Sequence, residues 1–110
     1  RLPNGLVEVP ISTVHMLGRN WPAGGGGFFR LLPYALSRWQ IARVNAADRR
    51  PAIFYFHPWE IDPEQPRVTA ATAKTRFRHY INLQHTEARL DRLLSDFSWG
   101  RADEVFRDAA

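Results

Sequence analysis

Two stretches of the chain repeat apolar residues at helical spacing, and two shorter runs read as extended. From Pro33 to about Ala46, Leu36, Trp39 and Ala42 or Arg43 recur three and four residues apart. This predicts a helix that opens on a proline and buries Trp39 against a sheet. From Asn82 to Phe97 the stripe is clearer: Leu83, Thr86, Leu90, Leu93, Leu94 and Phe97 share one face. Arg92 and Asp96 are spaced to pair on the opposite side, and Gly100 stops the helix. A short terminal helix fits Arg101 to Arg107. Leu6 to Ser12 reads as a strand with Glu8 facing outward, placed at an edge or cut short by Pro10. Ala52 to His57 is an apolar, aromatic run that suits a strand covered on both faces, ending where Pro58 removes a donor.

The segments between are punctuated. Gly24 to Gly27 is expected to lie outside regular structure. It either lets the chain pass close to another backbone or forms a mobile flap. Ile61 to Arg67 carries Pro63 and Pro66 and reads as a loop, with Val68 to Thr75 a flexible connection. The order strand, glycine loop, helix, strand, proline loop, helix is β-α-β-α. It predicts an α/β segment with parallel strands and a right-handed crossover. Two strands do not complete a sheet, so residues 1–110 read as one C-terminal piece of a larger α/β domain. The start at Arg1, without an initiator Met, agrees with that expectation.

Composition narrows the picture further. The net charge of +4 comes from fourteen Arg against one Lys, with acidic residues interleaved and no basic block. That pattern favours a solvated surface with ion pairs over nucleic-acid binding. With no cysteine, disulfides and thiolate metal sites are excluded. No apolar run approaches the ~20 residues that span a bilayer.

The densest chemistry lies at the end of the second strand run. His57 is delivered into a loop with Glu60 and Asp62 close behind. An imidazole moves protons near neutral pH, and a neighbouring carboxylate orients it. The plainer alternative is a histidine hydrogen-bonded at a strand end. A metal site built from His57, Glu60 and Asp62 would need a loop that folds back, which Pro58 resists. Phe28, Phe29, Tyr34, Trp59 and Tyr80 are candidates for stacking on sugar rings or for the core. Phe28 and Trp59, in expected loops, suit stacking best. His15, His79 and His85 read as ordinary surface or interface side chains.

Three stretches together resemble the C-terminal region of bacterial polysaccharide deacetylases, specifically those of exosortase-linked exopolysaccharide loci. They are Gly25-Gly26-Gly27-Phe28-Phe29-Arg30-Leu31-Leu32-Pro33-Tyr34, Phe54-Tyr55-Phe56-His57-Pro58-Trp59-Glu60-Ile61-Asp62-Pro63-Glu64-Gln65-Pro66-Arg67, and Arg76-Phe77-Arg78-His79-Tyr80-Ile81-Asn82-Leu83. That region is often catalogued as a domain of unknown function fused to the deacetylase core. The resemblance implies the end of a NodB-like distorted (β/α) barrel. It also implies metal-assisted hydrolysis of N-acetyl groups on an amino-sugar polymer. Phe54-Tyr55-Phe56-His57 would match the last motif of such enzymes, a leucine three residues before a histidine that protonates the leaving amine. Phe54 stands where the leucine is usual. On this reading His57 is catalytic with Glu60 as its orienter, and Phe28, Arg30, Phe54 and Trp59 meet the glycan.

No His-x-x-x-His pattern and no Asp-Asp pair occurs. The divalent metal of the parent enzyme, zinc in expectation, would then be bound upstream, with no cofactor in these residues and no activity from them alone. The expected partners are the upstream core, an amino-sugar polysaccharide and, for the isolated chain, a second copy of itself. The competing class is a non-catalytic glycan-binding or assembly module.

Overall fold

The computed structural model describes residues 2–107. It is a mixed α/β domain, mostly helical, whose sheet is a two-stranded antiparallel hairpin. Strands β1 (Thr13–Met16) and β2 (Arg19–Pro22) pair Val14 with Trp21 and His15 with Asn20. The two-residue loop Leu17-Gly18 has φ of 54° and 73°, the double positive φ that matches the twist of a tight hairpin. Across the hairpin, His15 Nδ1 lies 2.9 Å from Asn20 Oδ1, and Trp21 Nε1 donates to the Met16 carbonyl. Val14 alone turns fully inward, packing with Ala23 and Val44.

This arrangement corrects the parallel β-α-β-α expectation. Leu6 to Ser12 forms no strand. Leu6 and Ile11 are exposed, and pairing begins only after Pro10, which has no amide hydrogen to donate. Ala52 to His57 is extended, but its only ladder pairing among the described residues is one parallel bridge, Gly25 with Tyr55, while the Ala52 and Ile53 N–H groups donate to Asn45 Oδ1 and Ser12 Oγ. Tyr55 donates its N–H to the Gly24 carbonyl at 2.8 Å, and Gly26 donates to the Tyr55 carbonyl at 3.3 Å. The glycines permit that approach. A Cβ at Gly24 would sit 2.5 Å from the Ile53 carbonyl oxygen, and one at Gly25 would run into that of Tyr55. Gly26, expected to be irregular, already belongs to helix α1 (Gly26–Leu31).

Helix α2 (Tyr34–Ala47) starts after Pro33, as its sequence predicts. Its buried face is Ser37, Gln40, Ile41 and Val44, one position off the expected stripe. Trp39, expected to be buried against a sheet, is 41% exposed and is covered by the Arg43 guanidinium, 5.8 Å from its ring centroid. Helix α3 (Ala73–Tyr80) occupies part of the expected flexible connection, with the Thr72 hydroxyl capping the Thr75 N–H. Helix α4 (Leu83–Asp96) buries Leu83, Thr86, Leu90 and Leu93 and leaves Leu94 exposed. Asp96 meets Arg38 at 3.1 Å rather than its expected partner Arg92, which lies over the Tyr34 ring. A short α5 (Ala102–Val105) follows.

The main core joins α1, α2 and α4 through Phe29, Ile41 and Leu93. Burying each such side chain contributes about 1.5–3 kcal/mol. Phe54 packs into this core edge-on against Phe29, with ring centroids 4.9 Å apart, and also meets Trp99.

Candidate functional site

The site is assembled around one buried ion pair. Pro58 starts a single 3-10 turn, Pro58–Ile61, that curls Glu60 back over the residue before it. Glu60 Oε2 accepts the His57 backbone N–H at 2.7 Å, and Oε1 accepts Arg30 Nε at 2.9 Å. Both side chains of the pair are at most 3% exposed. The rest of the guanidinium caps the C-terminus of α3. Nη1 donates to the carbonyls of His79 and Ile81, and Nη2 to that of Arg78. A cation placed on the last carbonyls of a helix satisfies orphan acceptors and opposes the helix dipole.

The arrangement is reciprocated. Arg89 Nη1, from α4, reaches the carbonyls of Phe29, Arg30 and Leu32 at the end of α1. Asn82, in the left-handed conformation between α3 and α4, donates to the Arg30 carbonyl at 2.7 Å.

Above this base lies a group of rings. The Trp59 indole is nearly parallel to the His79 imidazole, with centroids 4.0 Å apart, and to that of His57 at 6.0 Å. The Arg30 guanidinium carbon is 4.8 Å from the Trp59 centroid, within cation–π range. Tyr55 meets His57 edge-on, and Tyr80 does the same to His79. Gln65 Nε2 donates to the carbonyls of Trp59 and Asp62, so its Oε1 is the atom facing His79 Nε2 at 3.1 Å. That acceptor calls for a proton on Nε2 and leaves Nδ1 as the open nitrogen of neutral His79.

A cleft of about 480 Å³ opens beside these rings. Phe28, Tyr55, Trp59 and Phe77 give it aromatic surface, with Arg78 and His79 contributed by α3. His57 is exposed and is held by its contacts to Trp59 and Tyr55, which both line the cleft.

The residues singled out in the sequence therefore divide. Phe28, Arg30 and Trp59 line the cleft, and His57 stands beside it. Phe54 does not join them; it packs in the core, where an aromatic ring of its size is most stabilising. Arg30 lines the cleft but is buried and committed to Glu60 and the α3 carbonyls, so it is a structural cation rather than a free ligand contact. Glu60 holds His57 by its main chain. Among the described residues its carboxylate makes no hydrogen bond to the imidazole, because the 3-10 turn directs it to the backbone N–H and Arg30.

Sequence reasoning missed His79, Tyr55 and Phe77 as cleft residues, and Arg89 and Asn82 as their support. The sequence reads His79 as an ordinary surface or interface side chain, whereas the fold stacks it on Trp59. Its neighbour Tyr80 was the available signal. Among the described residues no group of three or more His, Cys, Asp or Glu gathers to hold a metal ion.

Residues 1–107 match the family model described as a domain of unknown function (DUF3473), and the chain belongs to that family. No curated protein matches it, and no solved structure matches it.

Proposed function

We propose that the chain is the C-terminal segment of a polysaccharide deacetylase that removes N-acetyl groups from an amino-sugar polymer in exopolysaccharide biosynthesis. In this reading the sugar lies in the cleft lined by Phe28, Tyr55, Trp59 and Phe77, and His57 protonates the leaving amine. The observation that carries the reading is the pairing of an exposed imidazole with an aromatic-walled cleft, on a backbone pinned by the buried Glu60–Arg30 pair. A proton donor must be placed within hydrogen-bond reach of its target, and a fixed main chain serves that need. The described residues offer no ligand set for a divalent metal, so any metal of the parent enzyme is expected on residues outside them. The test is His57→Ala in the parent protein. General-acid help is worth about 100- to 10,000-fold, so kcat for deacetylation should fall by that order while circular dichroism stays unchanged. A parent that turns over at its normal rate would sink the assignment.

A non-catalytic glycan-binding module is the second reading. It is favoured by a specific observation: the cleft is lined by α1, the 3-10 turn and α3, and among the described residues no parallel sheet contributes to it. The isolated chain should then bind an N-acetylglucosamine oligomer, and Phe28→Ala, at a 41% exposed ring, should weaken that binding without unfolding the protein. Isothermal titration decides it, and an isolated chain that gives no heat with the oligomer argues against an autonomous module.

A further inference from the structure

Resting on the reading of this cleft as a sugar site, we infer that the sugar it takes carries a carboxylate, and that Arg78 is the side chain that reads it. The cleft is charged on one side only. Its lining holds Arg78 and Arg30 but no acidic residue. Glu60, the nearest buried carboxylate, is occupied by Arg30 and the His57 N–H. Asp62 and Glu64, which follow the 3-10 turn, do not line the cleft. Arg30, the other lining cation, has its donors turned to Glu60 and three carbonyls.

Arg78 differs. It is exposed, and among the described residues its guanidinium has no hydrogen-bond, ion-pair or aromatic partner. Its main chain is nonetheless fixed, because its carbonyl accepts Arg30 Nη2 at 3.2 Å. The cleft lining therefore includes an arginine whose planar fork is uncommitted, beside four aromatic rings. A guanidinium of this kind takes a carboxylate through two parallel hydrogen bonds, while aromatic faces take a pyranose ring. A protonated amino sugar would meet cations and no counter-charge. The polymer that fits carries a uronic acid residue beside its N-acetylated ring, and the ring that fits worst is a deacetylated one.

The experiment is isothermal titration of the 110-residue chain with tetragalacturonate, an N-acetylglucosamine tetramer and a glucosamine tetramer. The expected order of affinity is galacturonate, then the N-acetylated oligomer, then glucosamine. Arg78→Gln should weaken galacturonate about tenfold, the scale of one hydrogen bond to a charged group, and weaken the N-acetylated oligomer distinctly less. Arg78→Lys should keep part of the preference, and added salt should erode only the galacturonate affinity. If the N-acetylated oligomer binds and galacturonate binds no more tightly, the charge assignment is wrong and the sugar site stands. If no sugar binds, the sugar site fails and this inference fails with it. A nucleoside monophosphate that binds more tightly than galacturonate would overturn the proposal in favour of a phosphate ligand.

Discussion

Two arginine–carboxylate pairs in this protein have almost the same contact distance and opposite surroundings. Arg30–Glu60 closes at 2.9 Å with both side chains at most 3% exposed; Arg38–Asp96 closes at 3.1 Å with its arginine half in solvent. The first pair shares its remaining hydrogen-bonding capacity with main chain: the His57 N–H on one side, the end of α3 on the other. The second shares its carboxylate with the Tyr34 hydroxyl and joins α2 to α4 from outside. Burial makes a charge expensive to leave alone, whereas water compensates an exposed one. The buried pair therefore holds the base of the site, and the exposed one ties α2 to α4 away from the cleft.

The largest effect should come from Glu60→Ala. It strands a buried guanidinium and frees the His57 N–H, and breaking a buried pair typically costs about 3–5 kcal/mol. Urea unfolding would show this as a lowered midpoint, and a loss below 1 kcal/mol would place solvent around Arg30. The double change Arg30→Met with Glu60→Leu sharpens the point. It should be less destabilising than Glu60→Ala followed by the separate cost of losing Arg30, yet recover only part of the stability. The carbonyls of Arg78, His79 and Ile81 lose their donor whatever replaces the pair. Arg89→Ala comes next. It removes one charged donor from three carbonyls at the end of α1, and a hydrogen bond to a charged group is worth about 1.5–3 kcal/mol.

At the exposed pair the expected effects are smaller, and pH reveals them better than substitution. Burial, then the hydrogen bond to Asp96, pushes the Tyr34 hydroxyl up to about 12 from its usual 10.0. The neutral hydroxyl is thus favoured on folding. Its contribution is complete below pH 10 and is lost as pH rises from there through about 12. The Asp96 carboxyl is held below its usual 3.8 by the Tyr34 hydrogen bond first and by Arg38 and Arg92 beyond it. Its contribution is present above that value and disappears as pH falls through the lowered one. Tyr34→Phe should cost about 0.5–1.5 kcal/mol at neutral pH and flatten the alkaline limb of the stability curve. A variant that keeps the wild-type alkaline loss would assign that loss to another group.

The same contrast explains what could be read beforehand. Helix α4 was legible because Leu83, Leu90 and Leu93 carry its buried face. The extent of α2 was legible from Pro33, but its orientation was not. Two of its buried positions are the polar Ser37 and Gln40, while the apolar Trp39 faces out under Arg43. Helix α3 buries no residue, so no stripe announced it. The hairpin hid behind a Leu-Gly turn in place of the usual Asn-Gly, with Gly18 the surviving clue. The aromatic run through Phe56 resembles a central strand because Phe54 packs against the core, yet its backbone is held by one bridge and by the side chains of Asn45 and Ser12 rather than by a sheet. At the site, Phe28, Trp59 and His57 were visible as aromatics and an imidazole near turns. The burial of Arg30 was not, since a charged residue carries no local sign that carbonyls forty-eight or more residues away will enclose it.

The corner at Asn82 bears on how fast anything could enter the cleft. Helix α3 supplies one wall and has no core of its own, so it would be free to swing if only its packing held it. Instead the corner is tied at each end: Arg30 holds the last carbonyls of α3, and Asn82 holds the Arg30 carbonyl in return. The wall is thereby in place before a ligand arrives. Binding should then be a single encounter, with observed rates rising linearly with ligand concentration in stopped-flow tryptophan fluorescence. A rate that levels off at high concentration would mean that the corner yields and the wall closes after contact.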